Sequence, residues 1–405
     1  MATGTLSIIS RSLVKRSEVM KVIFIVQGEG RGHLTQALTL EKMLRDKGHE
    51  VVEILVGKSK AREIPSFFYA KTQAPVVKFD SPNFLPSRSQ TGVSVLGSTF
   101  YNLFRLPKYL RSILLIRKHL KDIQPDMVIN FYEILGNVCH QLFRPAIPEV
   151  CIGHQYMFLH PDFTFPQVHR HSQEWMKVFT EMTCMGAQKV LALSLRKYHH
   201  AEKEGITVVP PLLRNEILST PRHHGNYITG YMLNPGFSKY VMQWHEKHPK
   251  VCLHFYWDKK DAPEVTQVDS TLSFHQINDE AFIRDLANCK AYATTGGFES
   301  VCEAMYMGKP VIMAPVHVEQ ECNAFEAQQE GAGVMEPHFD LDRLLAFAQD
   351  YTENVEFRIW ENQAEEIIVN AIEAAYDTYH APTVTYSPSK LWQPLLPWGN
   401  FALSQ

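Results

Sequence analysis

Apolar residues along this chain alternate between short continuous runs and stretches with helical spacing. The first run, Val22–Gln27, leads into glycines, after which apolar residues recur every three or four positions up to Gly48. A second run, Val51–Val56, follows. Continuous runs are typical of buried parallel strands, and the three-to-four spacing is typical of a helix packed on one side. This segment therefore predicts a strand–helix–strand unit.

The same pattern recurs in two series separated by a polar, proline-rich segment at 208–226. Predicted strands of the first series are Met127–Asn130, Glu149–Gly153 and Val190–Ala192, and those of the second are Tyr227–Gly230, Val251–Tyr256, Thr271–Phe274, Ala291–Thr294 and Pro310–Ala314. We expect an α/β protein with two doubly wound Rossmann-like domains that face a central cleft. Ligands bind beyond the carboxyl ends of such strands.

The predicted boundaries follow from these series. An N-terminal domain spans 20–207, a linker spans 208–226, and a C-terminal domain spans 227–380. Residues 1–19 are expected to be a disordered extension, and 381–405, rich in proline and aromatic residues, a surface arm. Chain length agrees with two domains, because 405 residues exceed what one hydrophobic core usually holds.

Composition excludes several classes of protein. Net charge is −3 and no basic excess appears, which argues against a nucleic-acid partner. The seven cysteines are scattered and odd in number, as expected of reduced thiols in a cytoplasmic protein. No run reaches the roughly 18 apolar residues that a membrane-spanning helix needs. No His or Cys group has zinc-ligand spacing, so we predict no bound metal.

A glycine-alternating turn, Gly28, Gly30, Gly32 and then His33, lies between the first strand and the first helix. Glycines let a ligand approach the backbone, and the helix N-terminus offers free N–H groups. The turn also fits a dinucleotide site or a plain structural turn, although Glu53 lies inside the second strand rather than at its tip. An imidazole with a pKa near 6.5 suits proton abstraction, so His33 is the candidate base.

A second strand–glycine–helix junction follows Ala291–Thr294. Its candidate phosphate-binding residues are Thr295, Gly296, Gly297 and Ser300. Free N–H groups and the helix dipole favour an anion there. Glu299 and Glu303 share a helix face, and a carboxylate can accept both hydroxyls of a ribose diol. Alternatively, these glutamates only solvate the first helical turn.

The segment Thr295–Ala324 resembles the donor signature of UDP-glycosyltransferases of the GT-B fold over about thirty residues. The matching elements are Thr295–Glu303, Gly308-Lys309-Pro310, Pro315, Glu319-Gln320 and Asn323-Ala324. The resemblance implies that Glu303 binds the ribose, that Glu319 and Gln320 hold the transferred sugar, and that Asn323 lies beside them.

The turn that ends in His33 is similar to the Gly-x-Gly-His loop of family 28 and family 1 glycosyltransferases. That resemblance implies a general base oriented by an acidic residue of a later strand. Asn130 occupies roughly the family-1 Asp position, and Glu133 is near enough to substitute. Family 1 carries a diphosphate-binding His where this chain has Thr295, which favours family 28 and a bacterial branch like the peptidoglycan N-acetylglucosaminyltransferase.

Together these features predict an inverting, metal-independent glycosyltransferase that moves a sugar from a UDP-sugar to an unknown hydroxyl acceptor. The nucleotide sugar is a co-substrate, and no cofactor is expected. A glycan, a lipid-linked molecule or a small molecule can serve as acceptor, and the resemblance implies carbohydrate or cell-envelope glycan biosynthesis. The alternatives are a UDP-sugar 2-epimerase of the same fold and a non-catalytic nucleotide-sugar-binding protein.

Three segments bear on the acceptor. Residues 64–97 and 153–174 are the loops expected to select it. The stretch Phe100–Lys121 mixes apolar and basic residues and has two interpretations. It fits peripheral contact with the cytoplasmic membrane face, and it also fits a helix that packs one face on the sheet, which we favour.

Overall fold

The computed structural model describes residues 19–59, 63–82, 102–199, 201, 205–259 and 261–381. Within them the chain forms two sheets of seven strands, each flanked by helices. The expected pair of doubly wound α/β domains is confirmed.

The first sheet has the order β3-β2-β1-β4-β5-β6-β7, with every neighbouring pair parallel. Its strand order reverses between β1 and β4, where a doubly wound sheet binds its ligand. The strands are β1 Lys21–Gln27, β2 Glu50–Lys58, β3 Val76–Asp80, β4 Met127–Phe131, β5 Glu149–Gly153, β6 Lys189–Leu193 and β7 Ile206–Val209. The helices of this half are α1 Arg31–Asp46, α2 Ser66–Lys71, α3 Leu106–Ile123, α4 Ile134–Phe143 and α5 Arg170–Cys184, with a 3₁₀ helix at His154–Leu159.

The second sheet has the order β10-β11-β9-β8-β12-β13-β14, and only the edge strand β10 is antiparallel to its neighbour. Its order reverses between β8 and β12. The strands are β8 Tyr227–Met232, β9 Cys252–Trp257, β10 Val265–Gln267, β11 Leu272–Gln276, β12 Ala291–Thr294, β13 Val311–Met313 and β14 Gly333–Met335. The helices are α6 Asn215–Ser219, α7 Ser238–Lys247, α8 Asp279–Asn288, α9 Phe298–Tyr306, α10 Val318–Gln329, α11 Leu341–Asp350, α12 Val355–Glu361 and α13 Ala364–His380.

Several strands lie outside the predicted set. β3 and β10 are short and carry polar residues, so they lack a continuous apolar run. β7 ends at Val209, which makes the first two residues of the predicted linker part of the first sheet, and α6 lies within the same segment. The connection between the two domains is therefore shorter than the predicted linker and contains a helix.

The final helix, α13, belongs to the second half of the sequence but packs on α1 and β7 of the first domain. His49 Nε2 lies 2.9 Å from Glu373 Oε1, and Lys47 lies 3.3 Å from Glu365. Just before it, the indole of Trp360 donates to the carbonyl of Ser194 at 3.0 Å. The chain thus crosses between the two domains twice.

Some predicted segments lie partly or wholly outside the described residues. The predicted extension at 1–19 and arm at 381–405 lie outside them except for Val19 and Ala381, as does the part of the 64–97 segment after residue 82. All seven cysteines are described and unpaired. Among the described helices, none is long and apolar enough to cross a membrane.

We expect Ile372→Ala to destabilise the protein by about 2–5 kcal/mol, because it leaves a cavity in the core that α13 shares with the first domain. Urea unfolding measures the change. Ile359→Ala, at a half-exposed position of α12, is the matched control and should change stability little. Equal losses in both variants would contradict this packing of α13.

Candidate functional site

Two glycine turns stand at the points where the sheets reverse their strand order. The first joins β1 to α1, and the second joins β12 to α9. Gly30 and Gly297 precede the two helices in extended conformation, and neither helix has a side-chain cap at its N-terminus. The first N–H groups of each helix are thus not taken by a capping side chain, as a site for an anion or hydroxyl requires.

The glycines of the turns have different physical roles. A Cβ on Gly28 would lie 2.7 Å from Val56 Cγ1, so this glycine allows β1 and β2 to pack. A Cβ on Gly32 would lie 3.1 Å from Glu299 Cγ, so this one allows the second domain to approach α1. A Cβ on Gly30 would meet nothing within 4 Å. Of the three glycines, Gly30 borders open space.

His33 is buried, with a hydrogen-bond partner at each ring nitrogen. Nδ1 lies 3.2 Å from Gln36 Oε1, and Nε2 lies 3.3 Å from Gln155 Nε2. Since an amide oxygen only accepts and an amide nitrogen only donates, this network assigns the proton to Nδ1 and the lone pair to Nε2. The ring also stacks on Tyr132, with centroids 5.9 Å apart.

Burial lowers the pKa of His33 below its ordinary value, and this effect outweighs the opposing charge of Glu319. The imidazole is therefore neutral at pH 7, the state a general base needs before it accepts a proton.

Both amides that contact His33 also donate hydrogen bonds to carboxylates of the second domain. Gln36 Nε2 donates to Glu299, and Gln155 Nε2 donates to Glu319 Oε1 at 2.9 Å. Each carboxylate thus reaches the imidazole through one amide. Glu299 is only partly buried as a residue, but its carboxyl group is shielded from water, which raises its pKa to about 8, so it is largely uncharged at pH 7.

Asn130 and Glu133, expected to orient His33, have their hydrogen bonds elsewhere. Glu133 caps α4 by accepting from the N–H of Leu135 at 3.1 Å, and it accepts from the hydroxyl of Ser81 at 2.8 Å. Asn130 donates to the backbone of Glu133 and to Glu149. These contacts build the turn after β4 and show no orienting contact with His33. In this structure Gln36 and Gln155 are the partners of the ring.

The predicted donor residues do come together around the turn after β12. Gly296 adopts the left-handed conformation, with a φ of 81°, that the reversal into α9 requires. Ser300 Oγ lies 3.1 Å from both Thr294 Oγ1 and the carbonyl of Gly297. The side chains of α10 close the other side of this loop. Gln320 Nε2 donates to Thr295 Oγ1 at 3.5 Å, and Asn323 Nδ2 donates to the carbonyl of Gly296 at 3.4 Å.

Glu303, the predicted ribose ligand, is paired with a residue that the sequence did not single out. Arg214 donates to both carboxylate oxygens, at 2.6 and 3.1 Å, and lies 3.4 Å from Asp279. Arg214 follows β7 in the predicted linker, where a single arginine gives no spacing signal. A guanidinium that binds both oxygens holds the carboxylate in one orientation.

The two domains also meet through rings. His154, just after β5, stacks on Phe298 at the start of α9, with centroids 3.8 Å apart. Lys309, part of the predicted signature, is fully buried and donates to the carbonyls of His223 and Cys289, so its role is structural. In the portion of the chain that the structure describes, no three His, Cys, Asp or Glu residues are grouped to hold a metal ion.

Several solved structures with the same fold are glycosyltransferases. A glycotransferase of kitacinnamycin has a TM-score of 0.61 at 15% identity, covering 88% of this chain and 99% of its own. CalG4, the calicheamicin glycosyltransferase, has a TM-score of 0.60 at 18% identity, covering 90% and 100%. UGT89C1 of Arabidopsis thaliana, complexed with UDP-L-rhamnose, has a TM-score of 0.57 at 14% identity, covering 90% and 100%.

Among curated protein sequences no match was found. The sequence model described as Glycosyl transferase family 1, by contrast, matches residues 20–351, which include both glycine turns and all of the donor signature. The predicted resemblance to GT-B glycosyltransferases is confirmed, while the peptidoglycan-like branch suggested by Thr295 stays a prediction. The chain belongs to glycosyltransferase family 1.

Proposed function

We propose that the protein transfers a sugar from a UDP-sugar to a hydroxyl group of an acceptor, with inversion at the anomeric carbon. The observation that carries this proposal is the neutral His33, whose Nε2 accepts from Gln155, the amide that also donates to Glu319 of the second domain. The UGT89C1 structures, solved with UDP, UDP-L-rhamnose and quercetin, support a nucleotide-sugar donor and a hydroxyl-bearing acceptor for this chain.

In the proposed reaction the acceptor hydroxyl replaces the amide of Gln155 at Nε2 of His33. The imidazole takes the hydroxyl proton while the acceptor oxygen forms a bond to the anomeric carbon. The bond from that carbon to the diphosphate oxygen breaks on the opposite face, and UDP leaves. The oxygen of Gln36 accepts from Nδ1–H throughout and steadies the imidazolium, which the charge of Glu319 also favours.

The donor half of the site supplies the electrostatic part of the proposal. The N–H groups at the start of α9, with the hydroxyl of Ser300, would bind the diphosphate as negative charge develops on it. Glu303 would accept hydrogen bonds from the ribose hydroxyls. Its carboxylate would then either bind the ribose and Arg214 together or lose its contact with Arg214. Glu319 and Gln320 would hold the hydroxyls of the transferred sugar.

Binding of the donor requires the domains to separate, because side chains of the two halves are in direct contact. Gln36 contacts Glu299, Gln155 contacts Glu319, and His154 stacks on Phe298. We propose that the nucleotide sugar enters an opened form and that closure around it excludes water.

Replacing His33 by alanine should lower kcat by roughly 10²- to 10⁴-fold, the usual loss on removing a general base. Donor binding, followed as the thermal shift with UDP, should persist because the loop after β12 is intact. His380→Ala, at the exposed end of α13, is the control and should keep full activity. A His33→Ala enzyme with normal kcat would exclude this base.

The pH dependence of kcat/KM should reflect the lowered pKa of the buried imidazole. A lowered pKa means that His33 stays unprotonated, and competent as a base, at pH values somewhat below its ordinary 6.5. We therefore expect kcat/KM to be constant near pH 7 and to fall only at pH below 6.5. An acid limb centred above pH 7 would contradict the assignment.

A panel of nucleotide sugars in a thermal-shift assay tests the donor site. UDP-sugars should raise the unfolding temperature, and Glu303→Gln should weaken their binding roughly tenfold or more, the value of a hydrogen bond to a charged group. Glu246→Gln, exposed on α7, is the control. Each shift is taken relative to the same variant without ligand, since the Arg214 pair also contributes to stability.

Product analysis by NMR separates the reaction from its alternatives. Inversion supports the mechanism, and retention would refute it. An epimerised UDP-sugar formed without acceptor would identify a 2-epimerase. UDP binding without turnover in either the native or the His33→Ala protein would identify a binding protein.

A further inference from the structure

Helix α3 has two apolar faces, of which only one is buried. Tyr109, Ile113, Ile116 and Leu120 pack into the core of the first domain. Leu106, Leu110 and Leu114 lie beside this buried face, each about half exposed. Their spacing of four residues places them in one line along the helix.

The line of exposed leucines continues before the helix begins. Leu103 is also exposed, and Phe104 is 84% exposed, the largest value among the exposed large hydrophobic residues of the described chain. Isolated apolar residues on a surface are ordinary, but a contiguous set of five is the usual sign of an interaction surface.

Basic residues complete this surface. Arg117, Lys118 and Lys121 are exposed where the leucine line ends, towards the C-terminus of the same helix. The guanidinium of Arg117 lies 4.1 Å from the ring centroid of Phe143, and the residue that follows Phe143, Arg144, is also exposed. From Ser81 to Lys121 the sequence contains no Asp or Glu.

We propose that this surface, hereafter the α3 surface (Leu103, Phe104, Leu106, Leu110, Leu114, Arg117, Lys118 and Lys121), docks on the headgroup region of a bilayer that contains anionic lipid. The apolar half would enter the boundary between headgroups and acyl chains, and the basic half would contact lipid phosphates. Local charge favours this partner, because the whole chain has a net charge of −3 whereas α3 contains five Lys or Arg residues and one acidic residue, Asp122.

The leucine-rich end of α3 stands near the edge of the sheet that carries the His33 turn. Ser112 Oγ donates to the carbonyl of Asp80, the last residue of β3, at 2.7 Å, and the next residue, Ser81, contacts Glu133 beside the β4 turn. Docking by this end would turn the carboxyl edge of the first sheet towards the bilayer. An acceptor hydroxyl on a lipid-embedded molecule is then within the reach of the site, a consequence that rests on the proposed function.

Helix α5 provides a matched comparison. Trp175, Val178 and Met182 are also exposed apolar residues on one helix. In α5 the acidic Glu174 and Glu181 balance the basic residues, so this helix presents apolar area without net positive charge. Apolar exposure alone would make both helices bind membranes, whereas the proposal expects only α3 to do so.

Sedimentation of the full chain with lipid vesicles tests the proposal. We expect binding to vesicles of phosphatidylcholine mixed with phosphatidylglycerol, weaker binding to phosphatidylcholine alone, and loss of binding as salt screens the charges. The triple variant Arg117→Glu, Lys118→Glu, Lys121→Glu should bind at least roughly tenfold more weakly, and so should Leu106→Asn, Leu110→Asn, Leu114→Asn. The α5 variant Trp175→Asn, Val178→Asn, Met182→Asn should bind like the native protein.

All the substituted residues are exposed, so thermal unfolding should show that each variant is folded. Absence of native binding to the anionic vesicles would overturn the proposal, as would an equal loss in the α5 variant. If the native chain instead forms a dimer in solution that the leucine variant abolishes, and does not bind vesicles, the α3 surface belongs to a second copy of the protein.

Discussion

A histidine buried between two domains needs a hydrogen-bond partner at each ring nitrogen, and this requirement governs much of the structure around His33. Two amides meet it. Because an amide both donates and accepts, Gln36 and Gln155 contact the ring and also reach carboxylates of the opposite domain. The same few contacts therefore fix the protonation state of the imidazole and hold the domains together.

The raised pKa of Glu299 resolves an apparent conflict in the loop after β12, the proposed donor loop. A carboxylate at the first turn of α9 suits the helix dipole, but it would repel a diphosphate bound at the same N-terminus. Burial keeps Glu299 largely protonated at pH 7, so the loop does not carry that negative charge. Thr295, which replaces the histidine of the family, likewise leaves the loop without a positive side chain. Backbone N–H groups would then provide most of the local attraction for the phosphates.

The fold and the donor loop were predictable because their signals are local. Continuous apolar runs followed by glycines mark β1 and β12 within a few residues. β3 was missed because Lys78 interrupts a short run, and β7 because the prolines that follow it indicate a linker. The signature likewise placed the donor residues around one loop.

The partners of the predicted base were not predictable. Gln36 and Gln155 link His33 to carboxylates only because α1 and the segment after β5 contact the second domain. No residue spacing in the sequence predicts that contact. For Glu133, in contrast, proximity in sequence suggested a role that its contacts do not show. It lies near enough in sequence to serve His33, but the free N–H groups of α4 compete for its carboxylate, and the local cap is formed.

The two crossings of the chain between the domains have a mechanical consequence. A single connection would leave the domains free to swivel in any direction. Here the segment after β7 and the one that leads into α13 both join them, and two fixed points define a line. Two such connections would restrict the relative motion of the domains to rotation about that line. The sheet edges that carry His33 and Gly297 would then separate along one path and return to the same relative position, guided only by the two covalent connections.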